Sequence, residues 1–294
     1  MKLIHEYAEI IRQKYDRLGI YEAIELAGRT SYKSEHRIEL DENGRSKTAE
    51  AFTKKLESLH HGAALEHGTV YLTIPSTEKM YSKMVECYKK NPYSCVIEHD
   101  GNAYVTTNYQ VIVENVWTYD LKYLTTPHNL HKKRISVRFV ISRAIANEFV
   151  RHRVFSFLQE STRYVNYKNG VEFIYPVDWD KFTSEQKSEY KTALNDAEDA
   201  YGRFLSLGMK PERARDLLPL CTKTELVMTG FEDDWNKFFA LRTAKGAHPD
   251  AQAIAKSLMT TILAEQCGTG LNDSTRQNNY DSDNPDQRTY GKWS

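Results

Sequence analysis

The chain has 294 residues, of which 40% are hydrophobic, enough to bury the core of one large domain or two small ones. Lys+Arg and Asp+Glu both number 40, which excludes a general polyanion binder; any affinity for phosphate must come from local clustering. The opening MKLIHEYAEIIRQKYD is charged throughout and holds no apolar signal core, and no apolar run reaches membrane-spanning length, so a soluble cytoplasmic protein is expected. The four cysteines, Cys87, Cys95, Cys221 and Cys267, lack Cys-x-x-Cys spacing and a matching histidine pair. They read as reduced thiols, with no metal site.

In chain order, Ala27-Gly28-Arg29-Thr30-Ser31 reads as a helix end carrying hydroxyls and a guanidinium. Residues 47–60 place Ala49, Phe52, Leu56 and Leu59 on one helical stripe. His61-Gly62-Ala63-Ala64-Leu65-Glu66-His67 precedes a strand over 68–75 that stops at Pro75. Its two histidines are too far apart for one helical face, which argues against a metal. Residues 77–90 read as helix. The stretch 94–130, with a possible hairpin at Asp100-Gly101-Asn102, looks like part of an inserted segment. Residues 134–141 alternate, Arg134, Ser136 and Arg138 against Ile135, Val137 and Phe139, as a half-buried strand does. A helix over 142–150 then delivers Arg151.

An amphipathic helix is predicted over 184–207, with Tyr190, Leu194, Ala197, Tyr201 and Phe204 on one face. Pro211 opens a short helix that ends before Pro219, 222–230 reads as a strand, and helices follow over 232–245 and 250–266. Residues 268–294 are polar and read as a flexible tail. The class is mixed α/β (α+β): a modest sheet with many helices.

Residues 151–164, Arg-His-Arg-Val-Phe-Ser-Phe-Leu-Gln-Glu-Ser-Thr-Arg-Tyr, carry the densest chemistry. Adjacent cations are costly unless something anionic lies against them, and arginine forks match phosphate oxygens. A charged surface helix end is the plain alternative. Ala214-Arg215-Asp216-Leu217-Leu218-Pro219 and Phe238-Phe239-Ala240-Leu241-Arg242, with His248 beyond, are weak alone. On sequence alone the first reads foremost as a helix end stopped by proline with Arg215 in solvent, and the second as core Phe238, Phe239 and Leu241 with Arg242 and His248 at the surface.

Together and in this order, these elements resemble the flavin-dependent thymidylate synthases: an Ala-x-Arg-x-Ser element, a His-x₄-Glu-His element before a strand, Arg-His-Arg followed by seven residues and Ser, then Ala-Arg-x-x-Leu-Pro, then Leu-Arg with a nearby His. The resemblance covers most of 20–266, broken at about 76–132. It implies a single catalytic domain over 1–267 with an insertion, in a homotetramer whose sites draw on more than one subunit. It implies reductive methylation of dUMP to dTMP, with methylenetetrahydrofolate giving the carbon and NADPH the electrons through FAD. By the same resemblance Glu148, Arg151, Gln159, Glu160, Ser161, Thr162, Arg163, Arg215 and Arg242 line the dUMP site, and Ser31, His61, Arg151, His152, Arg153 and His248 meet FAD. Arg242 has the catalytic part: a guanidinium on the N3–C4=O edge favours an enolate-like ring and a nucleophilic C5. Ser161 lacks an adjacent base and is assigned to hydrogen bonding.

The chain departs from the family in carrying Glu148 where Gln is usual and Gln159 where Glu is usual. Phe231, Asp233 and Lys237 replace side chains that approach the flavin. No nucleic acid, membrane or metal partner is expected. The rival readings are a non-enzymatic nucleotide or single-stranded nucleic-acid binder, using arginines for phosphate and Tyr and Phe for stacking, and a structural protein whose arginines join subunits.

Overall fold

Residues 134–141 alternate as expected, yet the strand they form lies deeper than half-buried. In a computed structural model, which describes residues 1–163, 167 and 170–266, the elements run β1 (Lys2–Ile4), β2 (Tyr7–Ile11), α1 (Arg17–Tyr32), α2 (Ala49–Ser58), α3 (Gly62–Leu65), β3 (Thr69–Pro75), α4 (Tyr81–Lys90), β4 (Cys95–His99), β5 (Asn102–Asn108), α5 (Tyr109–Glu114), β6 (Arg134–Ser142), α6 (Arg143–Phe149), β7 (Ser156–Gln159), β8 (Glu172–Ile174), α7 (Ser184–Ser206), α8 (Pro211–Ala214), β9 (Lys223–Phe231), α9 (Glu232–Arg242) and α10 (Pro249–Gln266). The expected tail over 268–294 lies outside the described residues.

The main sheet is antiparallel, in the order β2-β6-β9-β7. Its register places Val137, Phe139 and Ile141 beside Met228, Leu226 and Thr224 on one face. That face packs on Ile145 and Phe149 of α6, Trp235 and Phe238 of α9, and Ile254 and Leu258 of α10. The other face carries Ser136, Arg138, Glu225 and Thr229, and α1 lies against its β7–β9 edge. Both faces are covered, so the Arg138 side chain is only 14% exposed rather than solvated as on an alternating surface strand. Glu9 Oε1 (3.1 Å) and Glu225 satisfy it within the sheet instead.

A second core joins Ile20 and Ile24 of α1 to Leu65, Val70, Leu72, Val105 and Tyr88. It is closed by the three-stranded antiparallel sheet β3-β5-β4. The hairpin read at Asp100-Gly101-Asn102 connects β4 to β5, and both Asp100 and Gly101 have positive φ, 45° and 70°. The third core sets Leu194 and Tyr201 of α7, with Tyr190 and Phe204 partly buried, against Val171 and Phe173. Thr183 and Gln186 form a reciprocal cap that starts α7. Strand β8 then pairs in parallel with β1, Lys2 opposite Glu172.

Candidate active site

Arg-His-Arg occupies the turn between α6 and β7, and Ser161-Thr162-Arg163 leaves the other end of β7. Seven residues separate Arg153 from Ser161, and the four of them that form β7 span about 13 Å. Because the pleat alternates, the predicted residues divide into two groups, one on each face of this edge strand.

The first group lies on the α6–α9 face. Arg242, the last residue of α9, is 9% exposed. Its Nη1 donates to Glu148 Oε2 (2.6 Å), its Nη2 to the Glu148 carbonyl (2.5 Å) and its Nε to His152 Nε2 (3.0 Å). Phe149 lies 5.8 Å from the guanidinium and Phe238 packs edge-on to His152. Burial first, and the Arg242 charge second, pull the His152 pKa down to about 4, so the ring is neutral at physiological pH. Arg151 and Arg153 are exposed on the same turn, and among the described residues neither pairs with a carboxylate. Gln159 is on this face too, with Nε2 donating to Thr224 Oγ1 at 3.3 Å. Glu148 and Gln159 therefore have separate partners within one chain.

The second group lies on the α1 face. Ser161 N–H donates to the Ser31 carbonyl (2.9 Å), tying the Ala-x-Arg-x-Ser element to the segment leaving β7. Ser31 Oγ donates back to Gly28 O (2.7 Å), and Arg29 is held by Glu25 and stacked on Phe52. Thr162 Oγ1 accepts from Arg215 Nη1 at 3.0 Å. This brings the Ala-Arg-x-x-Leu-Pro element beside the serine motif. Arg163 is exposed beside them. Glu160 departs from the expected direct contact with nucleotide. It is 1% exposed, and its carboxylate accepts from Tyr167 Oη (2.8 Å) and Lys223 Nζ (3.0 Å). Both oxygens are engaged, so its side chain anchors the segment leaving β7 rather than facing a ligand.

Lys223, buried between Glu160 and Glu225, is the partner of this segment that the sequence did not single out. Burial alone would lower its pKa, but Glu225 and Glu160 outweigh that and hold it above the usual lysine range. Glu225, despite burial, is held below the usual carboxylate range by Lys223 and Arg138. The chain Glu9–Arg138–Glu225–Lys223–Glu160–Tyr167 thus runs from the sheet into the motif. A possible signal was the alternation of Lys223 and Glu225 on an otherwise apolar strand.

His61 is exposed at the start of α3, and His248 is exposed at the start of α10, where its Nδ1 accepts from the Asp250 N–H at 3.3 Å. Neither joins the two groups within one chain. Phe231 lies beside Arg134, Asp233 pairs with Lys132, and Lys237 pairs with Asp234 at 3.1 Å. Among the described residues no cluster of His, Cys, Asp and Glu is arranged to hold a metal ion, and no helix is long and apolar enough to cross a membrane.

A family described as thymidylate synthase complementing protein matches residues 124–267. That span holds both groups except the Ala-x-Arg-x-Ser element of α1. A flavin-dependent thymidylate synthase of Geobacter sulfurreducens is 29% identical over 123 residues, 42% of this chain and 53% of that protein. One from Sulfurisphaera tokodaii is 31% identical over 122 residues, 42% of this chain and 47% of that protein. The chain thus spans about half the length of these curated relatives. A solved structure of the UMP/dUMP methylase PolB from Streptomyces cacaoi, bound with 5-Br UMP, aligns over 90% of this chain and 92% of that one, at 17% identity and a TM-score of 0.44. Residues 124–267, which carry Arg-His-Arg, the serine motif, Arg215 and Arg242 on the strands and helices just described, match that family's model, and the chain is similar to the flavin-dependent thymidylate synthases.

Proposed function

We propose that this chain catalyses the reductive methylation of dUMP to dTMP, with methylenetetrahydrofolate as carbon donor and NADPH as reductant through FAD. The observation that carries this reading is the placement of Arg242. It is buried, fixed by Glu148 and His152, and set on the Arg-His-Arg turn, where Arg151 and Arg153 pair with no carboxylate among the described residues. A guanidinium so fixed suits a developing negative charge on a pyrimidine, because it needs no reorganisation when the charge appears. Arg215 and Arg163, beside Ser161 and Thr162, suit the phosphate monoester.

The exposed turn fits an anionic cofactor. Arg151 and Arg153 would hold FAD with His152, joined by Ser31, His61 and His248. Bound flavin would supply the electrons that reduce the transferred carbon; the protein binds, orients and excludes water. One chain leaves the two residue groups on opposite faces of β7, which supports completion of the site by other copies in a homotetramer. Val154 (59% exposed) and Leu241 (57%), next to Arg153 and Arg242, give that contact an apolar margin. The catalytic domain would extend over 1–267, with 76–132 an insertion that adds β4 and β5 to β3 in the three-stranded sheet.

The test is dTMP formation by the purified chain with dUMP, methylenetetrahydrofolate, NADPH and FAD. Protein that takes up no flavin and forms no dTMP overturns the proposal. Salt-sensitive binding of single-stranded nucleic acid in its place would favour a binding protein.

A further inference from the structure

We infer that Glu148, Arg242 and His152 form a positioning relay: Glu148 fixes Arg242, and Arg242 fixes His152 as the neutral tautomer protonated on Nδ1. The Arg-His-Arg turn then offers its ligand an N–H donor on the Nδ1 edge. The functional part of this inference rests on the reading of the turn as a flavin and nucleotide site.

The argument is one of hydrogen-bond inventory. A guanidinium has five N–H donors and no acceptor, and it does not deprotonate in proteins. The Arg242 Nε to His152 Nε2 bond, 3.0 Å, therefore runs one way only. His152 Nε2 must supply a lone pair, so the ring's single proton sits on Nδ1. A protonated ring could not accept this bond, and the low pKa of His152 agrees. Among the described residues Nδ1 has no hydrogen-bond partner, which leaves its N–H for an acceptor such as a carbonyl oxygen or a ring nitrogen of a bound heteroaromatic group.

Glu148 is what makes the donor side rigid. It takes one N–H from each Nη, through Oε2 at 2.6 Å and through its own carbonyl at 2.5 Å. Because the carbonyl belongs to the last turn of α6 and the ring to the turn that follows, Arg242 pins one end of α9 to both. Two of its five N–H donors remain for a ligand. The carboxylate at 148 also makes the relay a paired charge rather than a lone buried cation.

The test is ¹⁵N NMR of histidine-labelled full-length protein without ligands, reading which ring nitrogen of His152 carries hydrogen. The wild type should show Nδ1–H. Arg242→Met should return His152 to the Nε2–H form that free imidazole side chains favour, and Glu148→Ala should give both forms. Glu148→Gln, whose amide oxygen still accepts from Nη1, should keep Nδ1–H. A wild-type Nε2–H signal, or an unchanged tautomer in Arg242→Met, overturns the relay. An unchanged tautomer in Glu148→Ala removes Glu148 from it. His152→Asn, which keeps an N–H near the Nδ1 position, should bind FAD at least fivefold more tightly than His152→Gln, which does not. Equal flavin affinity in these two variants overturns the donor role. The tautomer is read without ligand, so an Nδ1–H signal in protein that binds no flavin faults the functional reading and leaves the relay standing.

Discussion

At the scale of single residues, the two groups should fail in different ways when cut. Arg242→Ala removes the charge assigned to the transition state and should lower kcat 100-fold or more while KM for dUMP changes little (about 3 kcal/mol from one lost donor). Arg215→Ala removes a ground-state contact beside Thr162 and should raise KM for dUMP more than it lowers kcat. Steady-state kinetics on both variants decides this, and equal changes in both parameters for both variants would end the division of roles. Lys223 makes a different prediction. It lies between two buried carboxylates, Glu160 and Glu225, and is 4% exposed. Lys223→Met leaves those carboxylates facing each other without their cation, and should cost about 3–5 kcal/mol in urea unfolding. A variant as stable as the wild type would show that Arg138 alone suffices for Glu225.

At the scale of elements, Gly230 on β9 shows why the Arg-His-Arg turn sits where it does. A Cβ built there would lie 2.3 Å from the Phe155 ring. Phe155 in turn packs edge-on to Trp235 at 4.8 Å, so the ring cannot retreat. Gly230→Ala should therefore destabilise the fold by about 1–3 kcal/mol and weaken flavin uptake, because displacing Phe155 moves the turn that ends in it. Calorimetry together with flavin titration checks this; a variant with unchanged Tm and flavin affinity would mean the ring has room to move. The same element explains what was legible in the sequence. Strands β6 and β9 were readable because each is long and its apolar residues alternate or run together. Helix α7 was readable from its apolar face. Strands β1, β2, β7 and β8 were not, since each has only three to five residues, and β1, β2 and β8 also bear charge. Their pairing also spans long sequence distances, as between Lys2 and Glu172. The site follows the same rule. The order of Arg-His-Arg, Ser161, Arg215 and Arg242 is a local signal, whereas the Lys223–Glu160 pair exists only because the β7–β9 register carries on past Gln159.

At the scale of the whole molecule, two buried titratable groups make stability depend on pH in opposite directions. His67 is 1% exposed and bridges the end of α3 to the main sheet. Its Nδ1 meets Thr229 Oγ1 at 2.8 Å, Thr229 donates onward to Ser136, and Nε2 has no partner. Burial, reinforced by Arg134, pulls its pKa from 6.5 down to about 3. The unfolded chain therefore binds a proton that the fold refuses. The stability this group contributes is complete above pH 6.5 and is lost as pH falls toward 3, with about 2 kcal/mol gone by pH 5. Glu6, between β1 and β2, has both carboxyl oxygens buried without partners, and burial, then Asp250, push its pKa from 4.5 up to about 8. Here the fold holds a proton that the unfolded chain releases. The contribution is complete below pH 4.5 and is lost as pH rises through 8. Replacing His67 by Phe should lower stability at pH 7.5, through the lost Thr229 bond, and remove the loss of about 2 kcal/mol that His67 contributes between pH 7.5 and 5, so the variant gains relative to the wild type over that window. Replacing Glu6 by Gln should leave stability near pH 4.5 almost unchanged and raise it by at least 1 kcal/mol at pH 8. Urea melts of both variants and the wild type at pH 4.5, 5, 7.5 and 8 measure both slopes. Curves parallel to the wild type would place the protons elsewhere, since no other change in these variants alters the number bound on folding.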